Sequence, residues 1–80
     1  MWRWINPDRF RYYQVHLVQD LLGDWTLIQV WGALHSRRGG MRMSAVVSYE
    51  AGLERIARIG KRRRQRGYYA LTTRSSGETR

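Results

Sequence analysis

Residues 11–32 read RYYQVHLVQDLLGDWTLIQVWG and contain the most regular pattern in the chain. Through Arg11–Gln19, and again through Trp25–Gly32, side chains alternate between two faces, a period of two that is typical of β-strands. In the first segment Tyr13, Val15 and Leu17 alternate with Tyr12, Gln14 and His16. In the second, the alternating sets are Thr26, Ile28 and Val30 against Trp25, Leu27, Gln29 and Trp31. The intervening Asp20–Asp24 supplies a turn, in which Gly23 can adopt a positive φ. The stretch therefore predicts an antiparallel β-hairpin.

Shorter segments on both sides extend this hairpin into a small sheet. Met1–Ile5 has the pattern of a short strand, which Asn6-Pro7-Asp8 ends because proline fixes φ. Ala33–Gly40 is predicted to be a polar loop with a turn at its glycine pair, and Met41–Val47 is predicted to be a third long strand. In that strand the side chains predicted to face the core are Met43, Ala45 and Val47. Tyr68–Thr73 is expected to return as a short edge strand or a packed tail.

A single amphipathic helix follows the third strand. Ser48 is a suitable N-cap for a helix over Tyr49–Gln65, and the basic residues near its end suit the negative pole of the helix dipole. The apolar side predicted from a step of about 100° per residue consists of Tyr49, Leu53, Ile56, Ala57 and Gly60, with Gly52 and Ile59 at its edge. Because this apolar stripe stops after Gly60, the last turns are expected to extend beyond the sheet as a basic end, with Gly67 as the C′ residue.

The order of these elements predicts an α+β fold, in which a small antiparallel β-sheet of three to five strands is covered by one α-helix. Residues 1–73 are expected to form this single domain and residues 74–80 a disordered tail. The absence of cysteine excludes disulfides, thiolate metal sites and cysteine nucleophiles. The longest apolar run has four residues, against about 20 for a membrane-spanning helix, so we expect no membrane insertion and a cytoplasmic protein.

The charge distribution points to a polyanionic partner. The chain has 15 basic against 6 acidic residues and a net charge of +9. Residues 37–66 hold ten basic residues against Glu50 and Glu54, which is a net charge of +8. Codon bias explains why arginine outnumbers lysine, but it does not explain this clustering. A concentrated basic segment is the pattern expected of a surface that binds nucleic acid.

Two segments are candidate nucleic-acid-binding sites. The first runs from the second strand into the third and contributes Trp31, Gly32, Arg37, Arg38 and Arg42; the second is the helix end and contributes Lys61, Arg62, Arg63, Arg64 and Arg66. Each also has an ordinary structural explanation. Trp31 is in phase with the sheet residues Trp25 and Leu27, Gly32 suits a tight strand end, and the basic side chains suit a solvated surface.

The segment Trp25-Thr-Leu-Ile-Gln-Val-Trp-Gly32, a basic loop, a strand, a helix and Arg66-Gly67-Tyr68 together resemble the WGR domain over roughly residues 2–69. This family occurs in DNA-dependent poly(ADP-ribose) polymerases and as stand-alone bacterial proteins. The resemblance implies a small antiparallel sheet with one helix across it and binding to DNA ends. It implies that Trp31 stacks on a terminal sugar or base and that Arg37, Arg38 or Arg42 contacts phosphate. Ala33 replaces the arginine of the family motif, so interdomain signalling is not implied.

The sequence thus predicts a non-enzymatic module that binds DNA in preference to RNA, independently of sequence, with strand ends as one candidate target. A DNA-binding protein of this kind would be associated with the nucleoid. No cofactor, metal site or catalytic residue is predicted, since His16 and His35 are the only histidines and no carboxylate–histidine spacing resembles a metal site. The alternative is a protein-interaction adaptor or a self-associating module that uses exposed Trp2, Trp4 and Tyr12.

Overall fold

The computed structural model describes residues 1–71, which contain five strands and one helix. In chain order these are β1 (Trp2–Asn6), β2 (Arg11–Gln19), β3 (Trp25–Ala33), β4 (Gly39–Val46), α1 (Tyr49–Gln65) and β5 (Tyr69–Leu71). The predicted tail at residues 74–80, and residues 72–73 of the predicted domain, lie outside the described residues.

The strands form one antiparallel sheet in the order β4-β3-β2-β1-β5. The predicted hairpin is confirmed, because β2 and β3 pair without interruption from Gln19 opposite Trp25 to Arg11 opposite Ala33. After the helix the chain returns to the outer edge of β1, where β5 adds the fifth strand. The predicted fold class, a small antiparallel sheet covered by one helix, is therefore confirmed.

The core lies between the helix and the sheet face that carries Val15 and Leu27, which are both fully buried. Two glycines of α1 allow its backbone to approach this face. A Cβ on Gly52 would lie 2.6 Å from Leu17 Cδ1, and a Cβ on Gly60 would lie 3.1 Å from Trp4 Cζ2. Sheet side chains therefore occupy the space that helix side chains would otherwise fill.

The structure corrects two predictions about β4. The predicted glycine turn is wrong, because Gly39 and Gly40 already belong to the strand and pair with Gly32 and Trp31. Their pairing moves the connecting loop to residues 34–38 and fixes the phase of the strand. Ser44 consequently lies opposite Leu27, a fully buried core residue, and faces the helix. Met43 and Ala45 therefore lie on the face of the sheet away from the helix, and Val47 is exposed beyond the end of the strand. The prediction that these three side chains face the core is wrong.

The basic end of α1 does not extend beyond the sheet as predicted. Arg63 continues the core-facing side of the helix, and its guanidinium lies 4.5 Å from the centre of the Tyr13 ring on β2. The carbonyl of Arg66 accepts a hydrogen bond from Asn6 Nδ2 at 3.2 Å. An arginine can occupy such a position because its flat guanidinium stacks on aromatic rings. Ala57, predicted on the apolar side, is instead exposed.

Candidate functional site

A continuous groove crosses the helix side of the sheet beside the C-terminal half of α1. It consists of three adjoining cavities, all of which are lined by Arg63, and the one between β2, β3 and the helix end has a volume of about 310 Å³. We call it the arginine groove, because its lining includes eight arginines: Arg9, Arg11, Arg42, Arg55, Arg58, Arg62, Arg63 and Arg66. Its other lining residues are Asn6, Tyr12, Tyr13, Gln29, Trp31, Gly32, Ile59 and Tyr68.

Strand register brings the sheet residues of the groove together. Tyr13 on β2 lies directly opposite Trp31 on β3, and Gln29 on β3 lies opposite Arg42 on β4. Directly paired residues of an antiparallel sheet share one face. The alternation that the sequence shows thus places aromatic, amide and guanidinium groups side by side on the face that the helix partly covers.

Four side chains at the centre of the groove form one continuous stack. The rings of Trp31 and Tyr13 are nearly parallel, with centroids 6.0 Å apart and an interplanar angle of 15°. The guanidinium of Arg63 lies over the Tyr13 ring, and it also lies 5.2 Å from the centre of the Tyr68 ring. We call this series Trp31–Tyr13–Arg63–Tyr68 the arginine–aromatic stack. Cation–π contacts on two rings hold the arginine in place.

The end of the helix determines where Tyr68 lies. Gly67 has a φ of +91°, and the amides of Gly67 and Tyr68 donate to the carbonyls of Arg64 and Arg63 at 3.1 and 2.9 Å. These two hydrogen bonds define a Schellman motif, which confirms the prediction of Gly67 as the C′ residue. The motif reverses the chain and returns Tyr68 beside the side chain of the preceding turn.

Arg63 carries an unused hydrogen-bond donor. Its Nε atom is buried and has no hydrogen-bond partner among residues 1–71. A buried donor without a partner has a desolvation cost of about 1–3 kcal/mol. The residue is therefore held by stacking on aromatic rings, at a position where a purely apolar side chain would avoid that cost.

The floor of the groove is polar although it is covered. Gln29 is 7% exposed, and its Oε1 accepts a hydrogen bond of 2.6 Å from the Tyr13 hydroxyl. Burial raises the pKa of Tyr13 above its ordinary value of 10.0, and the positive charges of Arg63 and Arg42 offset part of that rise. The hydroxyl thus stays protonated at neutral pH and remains a donor.

Trp31 and Gly32, which the sequence predicted to bind nucleic acid, also have a role in the packing of the sheet. The Trp31 indole fills the space above Gly40, where a Cβ would lie 2.6 Å from Cζ2. A Cβ on Gly32 would lie 2.7 Å from the carbonyl oxygen of Arg38. Gly32 is therefore required by the close approach of the β3–β4 loop at Arg38, and Trp31 is half-buried.

Within residues 1–71 most acidic residues lie away from the arginine groove, and the exception is Asp8, which is exposed in the β1–β2 turn beside Arg9. Within residues 1–71 no acidic side chain lines the arginine groove. Glu50 and Glu54 lie in the first turns of α1, and Asp20–Asp24 connects β2 to β3 at the same end, where Trp25 and Tyr49 are in contact. The basic residues of the groove thus produce a local positive field with little opposing charge beside it.

The structure brings six of the ten predicted site residues to the groove. Four that it does not place there are exposed elsewhere: Arg37 and Arg38 in the β3–β4 loop, and Lys61 and Arg64 on the outer side of α1. Those that line it are Trp31, Gly32, Arg42, Arg62, Arg63 and Arg66. The two segments proposed as separate sites therefore meet at one surface.

Sequence reasoning missed several groove residues. Arg9 and Arg11 belong to a segment with no net charge, and only the turn after β1 brings them beside the helix end. Arg55 and Arg58 share one side of α1 with Arg62, a spacing that could have identified them. The remaining ones are the stack residues Tyr13 and Tyr68, the floor residue Gln29, and three further lining residues, Asn6, Tyr12 and Ile59.

The groove combines positive charge with flat side chains, which suits an anionic ligand that also has rings or sugar surfaces. Among residues 1–71 no group of three or more histidine, cysteine or acidic side chains could hold a metal ion. The same part of the chain contains no helix of the length and apolar character needed to cross a membrane.

The aromatic cluster predicted for protein interaction is not a single exposed surface. Trp4 is a core residue with 5% exposure, and Trp2 packs against the core. Tyr12 lies on the opposite face of the sheet from both, with Arg3 over its ring at 5.1 Å. The prediction that these aromatics are exposed is therefore wrong for Trp4.

No protein-family model, curated protein or solved structure matches the chain. The resemblance to the WGR domain therefore stays a prediction.

Proposed function

We propose that this protein is a non-enzymatic module that binds nucleic acid, preferentially DNA, through the arginine groove. The proposal rests on one observation: eight arginines and the aromatic residues of the stack line the same groove. Within residues 1–71 no acidic side chain lines it. Phosphate contacts by the arginines provide most of the affinity, since neutralised phosphates release condensed counterions.

Binding of this kind is independent of sequence. The contacts assigned to the groove arginines are to phosphates, which carry no sequence information. The aromatic contribution is secondary, because Trp31 and Tyr13 already stack on each other and present only part of their rings. Bases or sugars at the end of a DNA strand would contact these exposed portions of the rings.

The resemblance to the WGR domain supports DNA and strand ends as the target. It assigns phosphate contact to Arg37, Arg38 or Arg42, and only Arg42 lies in the groove. Ala33 stands at the motif arginine's position and pairs with Arg11, which itself lines the groove. Arg11 is therefore the residue best placed to provide the charge that the motif arginine would have supplied.

The test is fluorescence anisotropy with a blunt duplex, a closed hairpin duplex and a single strand, each titrated over a salt series. We expect salt-dependent binding to the wild-type protein. Arg42→Ala should lower the magnitude of the logarithmic salt slope on duplex DNA by about 0.9 for each phosphate that the variant no longer neutralises. Arg37→Ala is the matched control, because it removes the same charge from outside the groove.

Comparison of the blunt duplex with the closed hairpin distinguishes binding to DNA ends from general DNA binding. Tighter binding to the blunt duplex than to the closed hairpin, abolished in Trp31→Ala, would identify a strand-end reader. Equal binding to both duplexes would identify a general DNA binder. The absence of salt-dependent binding to all three ligands by the folded protein would contradict the proposal and favour a protein-interaction function.

A further inference from the structure

The face of the sheet opposite the helix is uncovered by any described residue, and it is largely apolar. Its most exposed apolar members are Met41 and Met43 on β4 and Tyr69 on β5, with exposures of 63%, 60% and 64%. The other apolar side chains on this face are Ile5, Tyr12, Val18, Ile28, Val30, Ala45 and Leu71, and its polar ones are Arg3, Gln14, His16 and Thr26.

This composition is unusual for a solvent-exposed sheet face. An antiparallel sheet with one solvated side normally carries polar residues on that side. Here the charged member of the face, Arg3, is already engaged, since its guanidinium donates a hydrogen bond to Gln14 and lies over the Tyr12 ring. Continuous apolar surface of this size marks an interaction site on a folded protein.

We propose that the protein forms a symmetric dimer in which the open sheet faces of two copies pack against each other. Two sheets packed face to face lie about 10 Å apart and bury their inner side chains between them. A second copy supplies the same apolar surface, which is the requirement of a two-fold interface. The resulting dimer has four layers, with sheets inside and helices outside.

The charge distribution favours a second copy over a nucleic acid as the occupant of this face. The arginine groove lies on the helix side of the sheet, so in the proposed dimer the two grooves point outward on opposite sides. Packing of the open faces thus keeps the strongest positive charges of the two copies apart. A nucleic acid on the same face would meet one arginine that already has a partner.

The size of the face is sufficient for a specific but reversible dimer. Five strands about 4.8 Å apart and up to about 30 Å long provide roughly 600 Å² per copy, because the edge strands are shorter than the central ones. Two copies would bury about 1,200 Å², at the lower end of the range for specific interfaces. Residues 72–80 contain no hydrophobic residue that could cover the face instead.

Sedimentation velocity tests the dimer, using protein freed of bound nucleic acid, from low micromolar to millimolar concentration and with enough salt to screen the net charge. We expect a species of twice the 9.6 kDa chain mass that dissociates on dilution. Val18→Lys on β2 and Met43→Lys on β4 should each weaken the dimer by at least about tenfold, because a lysine ammonium in an apolar interface loses its hydration. Circular dichroism verifies that both variants fold.

Leu21→Lys is the control, since Leu21 is fully exposed in the β2–β3 turn and the substitution adds the same charge. It should dimerise like the wild type. A monomer at every concentration would overturn the proposal, and so would a dimer that Leu21→Lys weakens equally. A dimer that resists Val18→Lys would also overturn it, because association through the edge of β4 would be insensitive to a central strand. The dimer is independent of nucleic-acid binding, which anisotropy measures separately.

Discussion

At the scale of single residues, Arg63 packs on the core-facing side of the helix and also lines the proposed binding groove. It occupies a core-facing helix position, stacks between two tyrosines and lines all three cavities of the arginine groove. Its buried Nε has no hydrogen-bond partner in the described part of the chain. A purely apolar side chain at this position would avoid that desolvation cost, so the charge of Arg63 is the feature that the proposed nucleic-acid-binding function would use.

Replacement of this arginine should separate stability from binding. We expect Arg63→Leu to change the free energy of unfolding by less than about 1.5 kcal/mol, because leucine is apolar and leaves no donor unpaired. Affinity for DNA should fall about three- to tenfold through the loss of one charge in the groove. Denaturant unfolding and anisotropy measure the two effects.

The control for this substitution is Arg64→Leu, which removes an exposed arginine outside the groove. It should lower the affinity for DNA less than Arg63→Leu does. Equal affinities in the two variants would contradict the role given to Arg63.

The tyrosine beneath Arg63 provides a second test, because its pKa is raised by burial. A group with a raised folded-state pKa contributes stability that is complete below its unfolded pKa and is lost as pH rises through the folded value. Stability should therefore decline above about pH 10, the ordinary tyrosine value. Tyr13→Phe should lower the free energy of unfolding at neutral pH by about 1–2 kcal/mol, since Gln29 Oε1 loses its donor.

Thermal unfolding from about pH 7 to about pH 11 checks this expectation. The stability difference between wild type and Tyr13→Phe should shrink as pH rises above about 10. A difference that stays constant over that interval would show that Tyr13 does not titrate in the way its burial requires.

At the scale of secondary-structure elements, the C-terminal end of α1 is the part that positions the stack. The Schellman motif at Gly67 returns Tyr68 to Arg63, and Asn6 binds the carbonyl of Arg66. The N-terminal end of the helix has no such role. There Ser48 Oγ accepts from the Ala51 amide at 3.1 Å and only caps the helix.

The two helix ends therefore predict different outcomes for substitutions of similar cost. Gly67→Ala should lower the free energy of unfolding by about 1 kcal/mol because of the positive φ, and it should also weaken DNA binding by displacing Tyr68. Ser48→Ala should have a similar cost of about 0.5–2 kcal/mol without changing affinity. Equal affinities for the two variants, measured by anisotropy at a temperature where both are folded, would contradict this role of the motif.

Elements were predicted well where the pattern was local. The β2–β3 hairpin, the N-cap of α1 and the C′ glycine follow from alternation and from residue-specific backbone preferences. The phase of β4 could not be predicted, because both of its faces carry apolar residues. Only the pairing of its glycines with β3 decides which face the helix covers.

At the scale of the whole molecule, tertiary contacts make one groove out of two basic segments. A linear charge count found residues 37–66, but it could not show that Lys61 and Arg64 point away from the groove while Arg9 and Arg11 join it. Two features determine this placement: the direction in which each arginine points around the helix, and the turn after β1, which brings Arg9 and Arg11 beside the helix end. The sequence thus predicted some of the residues that line the groove but not all of them, and polyanion binding stays a prediction.

The groove also predicts the salt dependence of the intact protein. If about four to six of its arginines contact phosphates at once, the logarithmic salt slope on duplex DNA should lie between about −3.6 and −5.4. Anisotropy over a salt series measures this slope, and titration at one low salt concentration cannot replace it. A slope of about −1 would mean that the groove as a whole is not the binding surface.

The proposed binding surface is tested most directly by nuclear magnetic resonance of ¹⁵N-labelled protein titrated with a short DNA duplex. The structure predicts that the largest shift changes fall on the Trp31 indole N–H, the Gln29 side-chain amide and the Arg63 Nε–H, which has no hydrogen-bond partner within residues 1–71. Amides of Met41 and Met43 on the open sheet face should change little. Changes confined to that face or to the β3–β4 loop, with the groove signals unmoved, would contradict binding through the arginine groove.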